Sequence, residues 1–193
     1  MQPPLIIFGL GNPWSAYANT RHNLGARAVS ALAARHGLVF DQLMADSHGA
    51  WARISGRDVL LLRSNVDINA SDRALGAYAP LIERPPRNVW VLHDDIALML
   101  GTIRIVVNGG AGGHRGVEAL LMSLGSADFV KFKLGIGRPS RLERIYDYVF
   151  EPFGSDEMEG VDAAVGEAID AMECAIEFGV DAAQTRHNRK RHS

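Results

Sequence analysis

The chain has 193 residues, 47% of them apolar and 22% charged, with a formal net charge of −2. That length suits one domain with a real core, and the balance excludes a disordered or fibrous chain. No apolar run approaches the roughly 20 residues that span a bilayer, and the single cysteine, Cys174, excludes an internal disulfide and fits a reducing cytoplasm.

In chain order, residues 5–8 are a β-rich apolar run ended by Gly9-Leu10-Gly11-Asn12-Pro13, a buried strand running into a tight loop. Residues 24–36 carry apolar positions at helical spacing, with Asn23 as the expected cap and Gly37 as the stop. Residues 51–54 and 59–62 read as two strands around Ser55-Gly56, and residues 71–82 as a helix closed by Pro85-Pro86. Strands are expected at 89–92, 103–107 and 129–136, a helix at 117–124 ended by Gly125, and the longest helix at 156–178. Cys174 lies in that last pattern among apolar neighbours and reads as packing. Alternating strands and helices, with the early strands apolar throughout, predict a single-domain three-layer α/β/α fold. Its twisted sheet is mixed and mostly parallel, with helices on both faces. The domain is expected over residues 1–185, with a basic tail at 186–193.

Charge is unevenly distributed. Residues 151–181 hold ten Asp or Glu and no Lys or Arg, while the tail carries Arg186, Arg189, Lys190 and Arg191. That leaves 16 basic and 12 acidic residues in the first 150, a net of +4. A basic body and tail suit an RNA partner, but the excess alone says little.

The informative pattern is where unusual polar residues fall. The strand at 5–8 leads to Asn12, the strand at 59–62 to Asn65 and Asn69, and the strand at 89–92 to His93-Asp94-Asp95. The strand at 103–107 opens into the glycine-rich segment from Asn108 to Gly116, which includes His114 and Arg115. Ligands of open α/β sheets bind beyond the carboxyl ends of strands, so parallel strands here would turn all four clusters toward one crevice. Trp14 stands where a dinucleotide fingerprint needs its third glycine, and no Gly-Lys-Ser/Thr follows the glycine segment, so neither nucleotide motif is present. A metal centre from His22, His93, Asp94 and His114 has no diagnostic spacing, and no metal or cofactor is expected.

His22, in Thr20-Arg21-His22-Asn23, is the candidate base. A carboxylate such as Asp94 aimed at its ring would set the tautomer and stabilise the imidazolium. Gly-x-Ser-x-Gly is absent, which leaves histidine acting on water rather than a covalent acyl-enzyme.

Together these stretches resemble the bacterial peptidyl-tRNA hydrolase family, from about Leu5 to the basic tail. The residues that carry the resemblance are Gly9-Leu10-Gly11-Asn12-Pro13, Tyr17, Thr20-Arg21-His22-Asn23-Leu24-Gly25, His93-Asp94-Asp95, Gly109-Gly110-Ala111-Gly112-Gly113-His114 and Lys133-Leu134-Gly135-Ile136-Gly137-Arg138-Pro139. The resemblance implies hydrolysis of the ester joining a peptide to the 3′ ribose of tRNA, with peptidyl-tRNA as the partner. His22 would activate water, Asp94 would support it, and Asn12 and Asn69 would hold the peptide backbone. Tyr17, Asp67, His114 and Arg115 would lie along the substrate groove. A cytoplasmic monomer with no membrane association and no cofactor is expected.

The chain departs from the family pattern around Asn69. Asp67 stands where the family often has an aromatic, Ile68 where it has methionine, and Asp72 where it has glycine. Arg115 stands where it commonly has asparagine. The alternatives are a non-hydrolytic RNA-binding relative and an esterase for other N-acylated substrates. Retention of Asn12, His22, Asn69 and Asp94 favours the hydrolase, because a pure binding module has no need of that set.

Overall fold

The computed structural model describes residues 2–13, 15–139 and 144–188. Among the described residues, seven strands form one sheet in the order β2-β3-β4-β1-β5-β7-β6. They are β1 (Leu5–Gly9), β2 (Asp41–Met44), β3 (Ser47–Ile54), β4 (Arg57–Ser64), β5 (Val89–Asp95), β6 (Ile103–Val107) and β7 (Val130–Gly135). The central strands β4, β1, β5 and β7 are parallel, and β2 runs with them because it is antiparallel to β3, itself antiparallel to β4. Five of the seven strands therefore point one way, in the mixed α/β fold expected.

Strand periodicity builds a core on each face. Leu5, Ile7, Leu61, Trp90 and Leu92 pack under α1 (Leu24–Arg35) and α5 (Met158–Phe178), meeting Leu24, Leu32, Val161 and Met172. Ile6, Phe8, Leu60, Leu62 and Val91 face the other way, onto α2 (Ser71–Gly76) and α3 (Arg115–Leu124), where Leu75, Val117 and Leu120 lie. A sheet covered on both faces needs apolar residues at every position of its central strands, which is why their sequences do not alternate.

Three local readings need correction. The helix expected at 71–82 stops at Gly76 and resumes only as a short 3₁₀ turn at Ala79–Leu81. Pro80 is the reason, since its ring would meet the carbonyl of Gly76 and it has no N–H to donate. Asn23 does not cap α1 with its side chain. That amide is instead engaged with Asn12. The strand at 103–107 is not a parallel neighbour: β6 is antiparallel to β7 and ends level with Val130. Residues 96–102 are too few for the dozen or so that a parallel crossover requires.

Among the described residues, β2, the helix α4 (Ile145–Phe150) and most of the last helix went unread in the sequence. After α5, α6 (Val180–His187) takes in Arg186 and His187 of the basic tail. His187 Nδ1 lies 2.8 Å from Glu167 Oε1, and Asn188 bonds both backbone groups of Ile105 through its amide. The outer edge of β6 is thereby blunted against pairing with another chain. Residues 189–193 of that tail lie outside the described residues. Cys174 is half-buried against the α5 core, in keeping with a packing role.

Candidate active site

Two glycines set the site's dimensions. A Cβ on Gly25 would collide with the carbonyl oxygen of Leu92, and one on Gly9 with the carbonyl oxygen of Gly25. Only glycine lets the start of α1 sit directly on the ends of β1 and β5, and that close approach carries His22 over Asp94. The segment before α1 is fastened from outside by Arg21. Its guanidinium is bidentate to Glu157 at 2.8 Å for each bond and lies 4.3 Å over the Tyr148 ring.

His22 Nδ1 lies 2.9 Å from Asp94 Oδ1, and His114 Nε2 lies 3.0 Å from the same oxygen. His114 caps α3 by accepting the Val117 N–H on its Nδ1 at 3.3 Å, so its Nε2–H is the donor toward Asp94. With Nδ1–H of His22 donating to Asp94, the His22 Nε2 lone pair is left for the cavity. Burial opposes charge on Asp94, but His114 and His22, by charge and by hydrogen bond, outweigh it and hold the carboxyl well below the usual carboxylate range. His93, fully buried behind them, donates Nδ1–H to the Asp94 carbonyl at 2.8 Å, and its Nε2 has no partner. Burial, with the neighbouring His114 next, pushes its pKa down to about 3, so it is neutral at working pH.

Asn12 is fixed through its backbone and its side chain. Its N–H donates to Asn23 Oδ1, and Asn23 Nδ2 donates back to its carbonyl, both at 2.8 Å. Asn12 Oδ1 accepts the Ile68 N–H at 2.9 Å, which leaves its amide N–H groups for a ligand. Asn69 is exposed on the next turn, and Asp67 begins that turn.

All eight expected residues line one cavity of about 440 Å³: His22, Asp94, Asn12 and Asn69 with Tyr17, Asp67, His114 and Arg115. The glycine segment reaches it by an indirect route. Because β6 ends at the wrong end of the sheet, residues 108–113 double back, with positive φ at Asn108, Gly109, Gly112 and Gly113. Lys131 Nζ pins the turn by donating to the Asn108 carbonyl at 3.0 Å. The far wall is α4, whose Ile145, Tyr146, Val149 and Phe150 were missed in the sequence. Phe150 lies edge-on to His22 at 5.6 Å and to Tyr17 at 5.7 Å. The spacing of 145 with 149 and of 146 with 150 was the available signal.

His22, Asp94 and His114 also offer three ligand atoms within 4.8 Å of one another, so they are the candidate metal set among the described residues. The contacts of 2.9 and 3.0 Å around Asp94 Oδ1 are those of hydrogen bonds, and a metal at the roughly 2.0–2.2 Å of Zn–N and Zn–O bonds would have to displace both.

A buried histidine–carboxylate pair facing a cavity with free amide donors suits acyl transfer to water. A family model described as peptidyl-tRNA hydrolase matches residues 6–193. A peptidyl-tRNA hydrolase of Mycobacterium avium (strain 104) is 38% identical over 187 residues, covering 96% of this chain and 98% of that protein. One from Thermodesulfovibrio yellowstonii is 34% identical, covering 96% and 99%. A crystal structure of the peptidyl-tRNA hydrolase from Acinetobacter baumannii superposes with a TM-score of 0.88 at 28% identity, covering 97% of this chain and 96% of that one. The motifs, the fold and these full-length matches agree, and the chain belongs to the peptidyl-tRNA hydrolase family.

Proposed function

We propose that this protein hydrolyses the ester between the peptide and the 3′ ribose of tRNA, with water activated by His22. The observation that carries the reading is the His22–Asp94 contact of 2.9 Å, which commits Nδ1 and leaves Nε2 to the cavity. Nε2 takes a proton from water as the oxygen attacks the ester carbonyl, and Asp94 stabilises the imidazolium that forms. The amide of Asn12 donates to the developing oxyanion, and Asn69 holds the peptide backbone. Collapse breaks the bond to the ribose oxygen, which recovers the proton from His22. The products are a peptide acid and tRNA with a free 3′ hydroxyl. Tyr17, Asp67, His114 and Arg115 shape the groove.

An ester is comparatively easy to hydrolyse, because its carbonyl is electrophilic and an alcohol leaves more readily than an amine, so one positioned base and a few amide donors suffice without a metal or cofactor. No helix among the described residues is long and apolar enough to cross a membrane. The substrate arises at the ribosome, and the reading is of a cytoplasmic, monomeric enzyme. Incubation with N-acetyl-aminoacyl-tRNA and with the matching small ester tests it. Release of free tRNA is expected, with much slower cleavage of the small ester. Binding of tRNA without release would point to a binding relative, and preference for the small ester to a different esterase.

A further inference from the structure

A second polar cavity, of about 410 Å³, opens on the other side of Asn12. Asn19 comes to it from the turn before α1, Arg27 and Ser30 from α1 itself, His48 from β3, Arg63 from the end of β4 and Asn65 from just beyond it. Two registers explain the convergence. Arg63 and His48 are cross-strand partners, so their side chains leave the same face of the sheet. Arg27 and Ser30 are three apart on α1, the helix covering that face.

Arg63 is the unusual residue. Its contacts are with neutral groups: Nη1 donates to Ser30 Oγ at 3.2 Å, and the guanidinium lies 4.5 Å over the Phe40 ring. Its buried Nε–H has no partner. Burial pushes its pKa below the ordinary arginine value, and among the described residues no carboxylate lines the cavity to offset that. A charge held half-buried without a counter-ion is costly unless a ligand supplies one. A guanidinium fork matches the oxygens of a phosphate.

The main cavity suits that phosphate less well, since Asp67, Asp94 and Asp95 line it against a single arginine, Arg115. Yet the expected substrate carries a phosphate across one ribose from its ester, and Asn12 is common to both cavities. We propose that the second cavity binds a phosphate of the tRNA acceptor end through Arg63, assisted by His48 and by Arg27, whose guanidinium also pairs with the exposed Asp162 at 2.7 Å, while the ester lies at His22. This rests on the reading of the protein as a peptidyl-tRNA hydrolase.

The test measures hydrolysis of N-acetyl-aminoacyl-tRNA over a series of salt concentrations. Arg63→Gln is expected to raise KM about tenfold, with kcat within twofold. It should also reduce the slope of log KM against log salt by about one, the mark of a lost phosphate contact. Arg63→Lys, which keeps the charge, should restore the slope. Should Arg63→Gln fail to fold, the wild-type protein decides the matter with N-acetyl-aminoacyl-adenosine carrying or lacking a 5′-phosphate. A KM about tenfold lower for the phosphorylated ester is then expected, and Arg27→Gln, at a half-buried side chain, should reduce that advantage. An unchanged KM and slope in folded Arg63→Gln would overturn the proposal, as would equal KM values for the two adenosine esters. So would inorganic phosphate that saturates the protein without raising KM for tRNA, since the site would then serve a free anion. Absence of hydrolysis of any tRNA ester would instead sink the proposed function itself, which is a distinguishable failure.

Discussion

The carboxylate of Asp67 accepts the backbone N–H of Asn69 at 2.8 Å and so caps the turn Ile68–Ala70. Read from the sequence, Asp67 is a bare negative charge where an aromatic wall is common. In the folded chain one of its oxygens is committed to the turn that presents Asn69, and Ile68 is buried beneath it with its carbonyl against Gly116. Charge and cap make separable contributions. Asp67→Asn keeps an acceptor and should leave Tm unchanged, while KM for the polyanionic tRNA falls, most at low salt. Asp67→Phe loses the cap, at about 1 kcal/mol of stability, and with it part of any gain in KM, whether or not Ile68→Met accompanies it. Equal KM values and equal melting temperatures for the two variants would show that the cap is immaterial.

His22→Ala should lower kcat by about 10²- to 10⁴-fold, the usual contribution of a general base. The fold should survive, because His114 still holds the Asp94 oxygen at 3.0 Å. Near-normal single-turnover rates in a protein with an unchanged melting curve would remove His22 from the mechanism.

Asp94→Asn retains a carbonyl for the two histidine donors but removes the charge that supports an imidazolium. The rate should fall, and the acid limb of the pH–rate profile should move to lower pH. Superposable profiles would show that the carboxylate and the base are not coupled.

His93 makes stability depend on pH. In the unfolded chain it takes up its proton near 6.5, but in the folded chain only at about 3. Between those values the unfolded state holds more protons, so stability is lost as pH falls through that window. His93→Gln should flatten the dependence of unfolding free energy on pH between about 6.5 and 3. The same slope in both proteins would mean that the buried ring protonates without unfolding.

Hydrolysis should persist in excess chelator, and added zinc should inhibit by drawing His22, Asp94 and His114 into coordination. Loss of activity with EDTA, restored by a divalent ion, would reverse the roles assigned to this cluster.

The elements legible in the sequence are those whose burial is decided locally. Residues 5–8, 59–62 and 89–92 are apolar at every position, and they became the central strands β1, β4 and β5, covered on both faces. Strand β2 is Asp41–Met44, exposed at nearly every position at the sheet edge, and pairing rather than burial makes it a strand. Helix α4 is only six residues long, so its Ile145, Tyr146, Val149 and Phe150 read as connection until the cavity gives them a surface to cover.

The candidate site divides in the same way. Residue types and motif order alone pointed to His22, Asp94, Asn12 and Asn69, because chemistry constrains which side chains serve a hydrolytic site. Tertiary structure decided who touches whom. It placed Asn23 on Asn12 instead of at a helix cap, made His114 the second donor to Asp94, and left His93 as a neutral ring behind both. It also returned the glycine segment from the far end of an antiparallel edge strand. None of these is written in local pattern, because hydrogen bonds between residues 11, 20 or 72 positions apart depend on how strands are ordered and on which small residues let a helix approach a sheet.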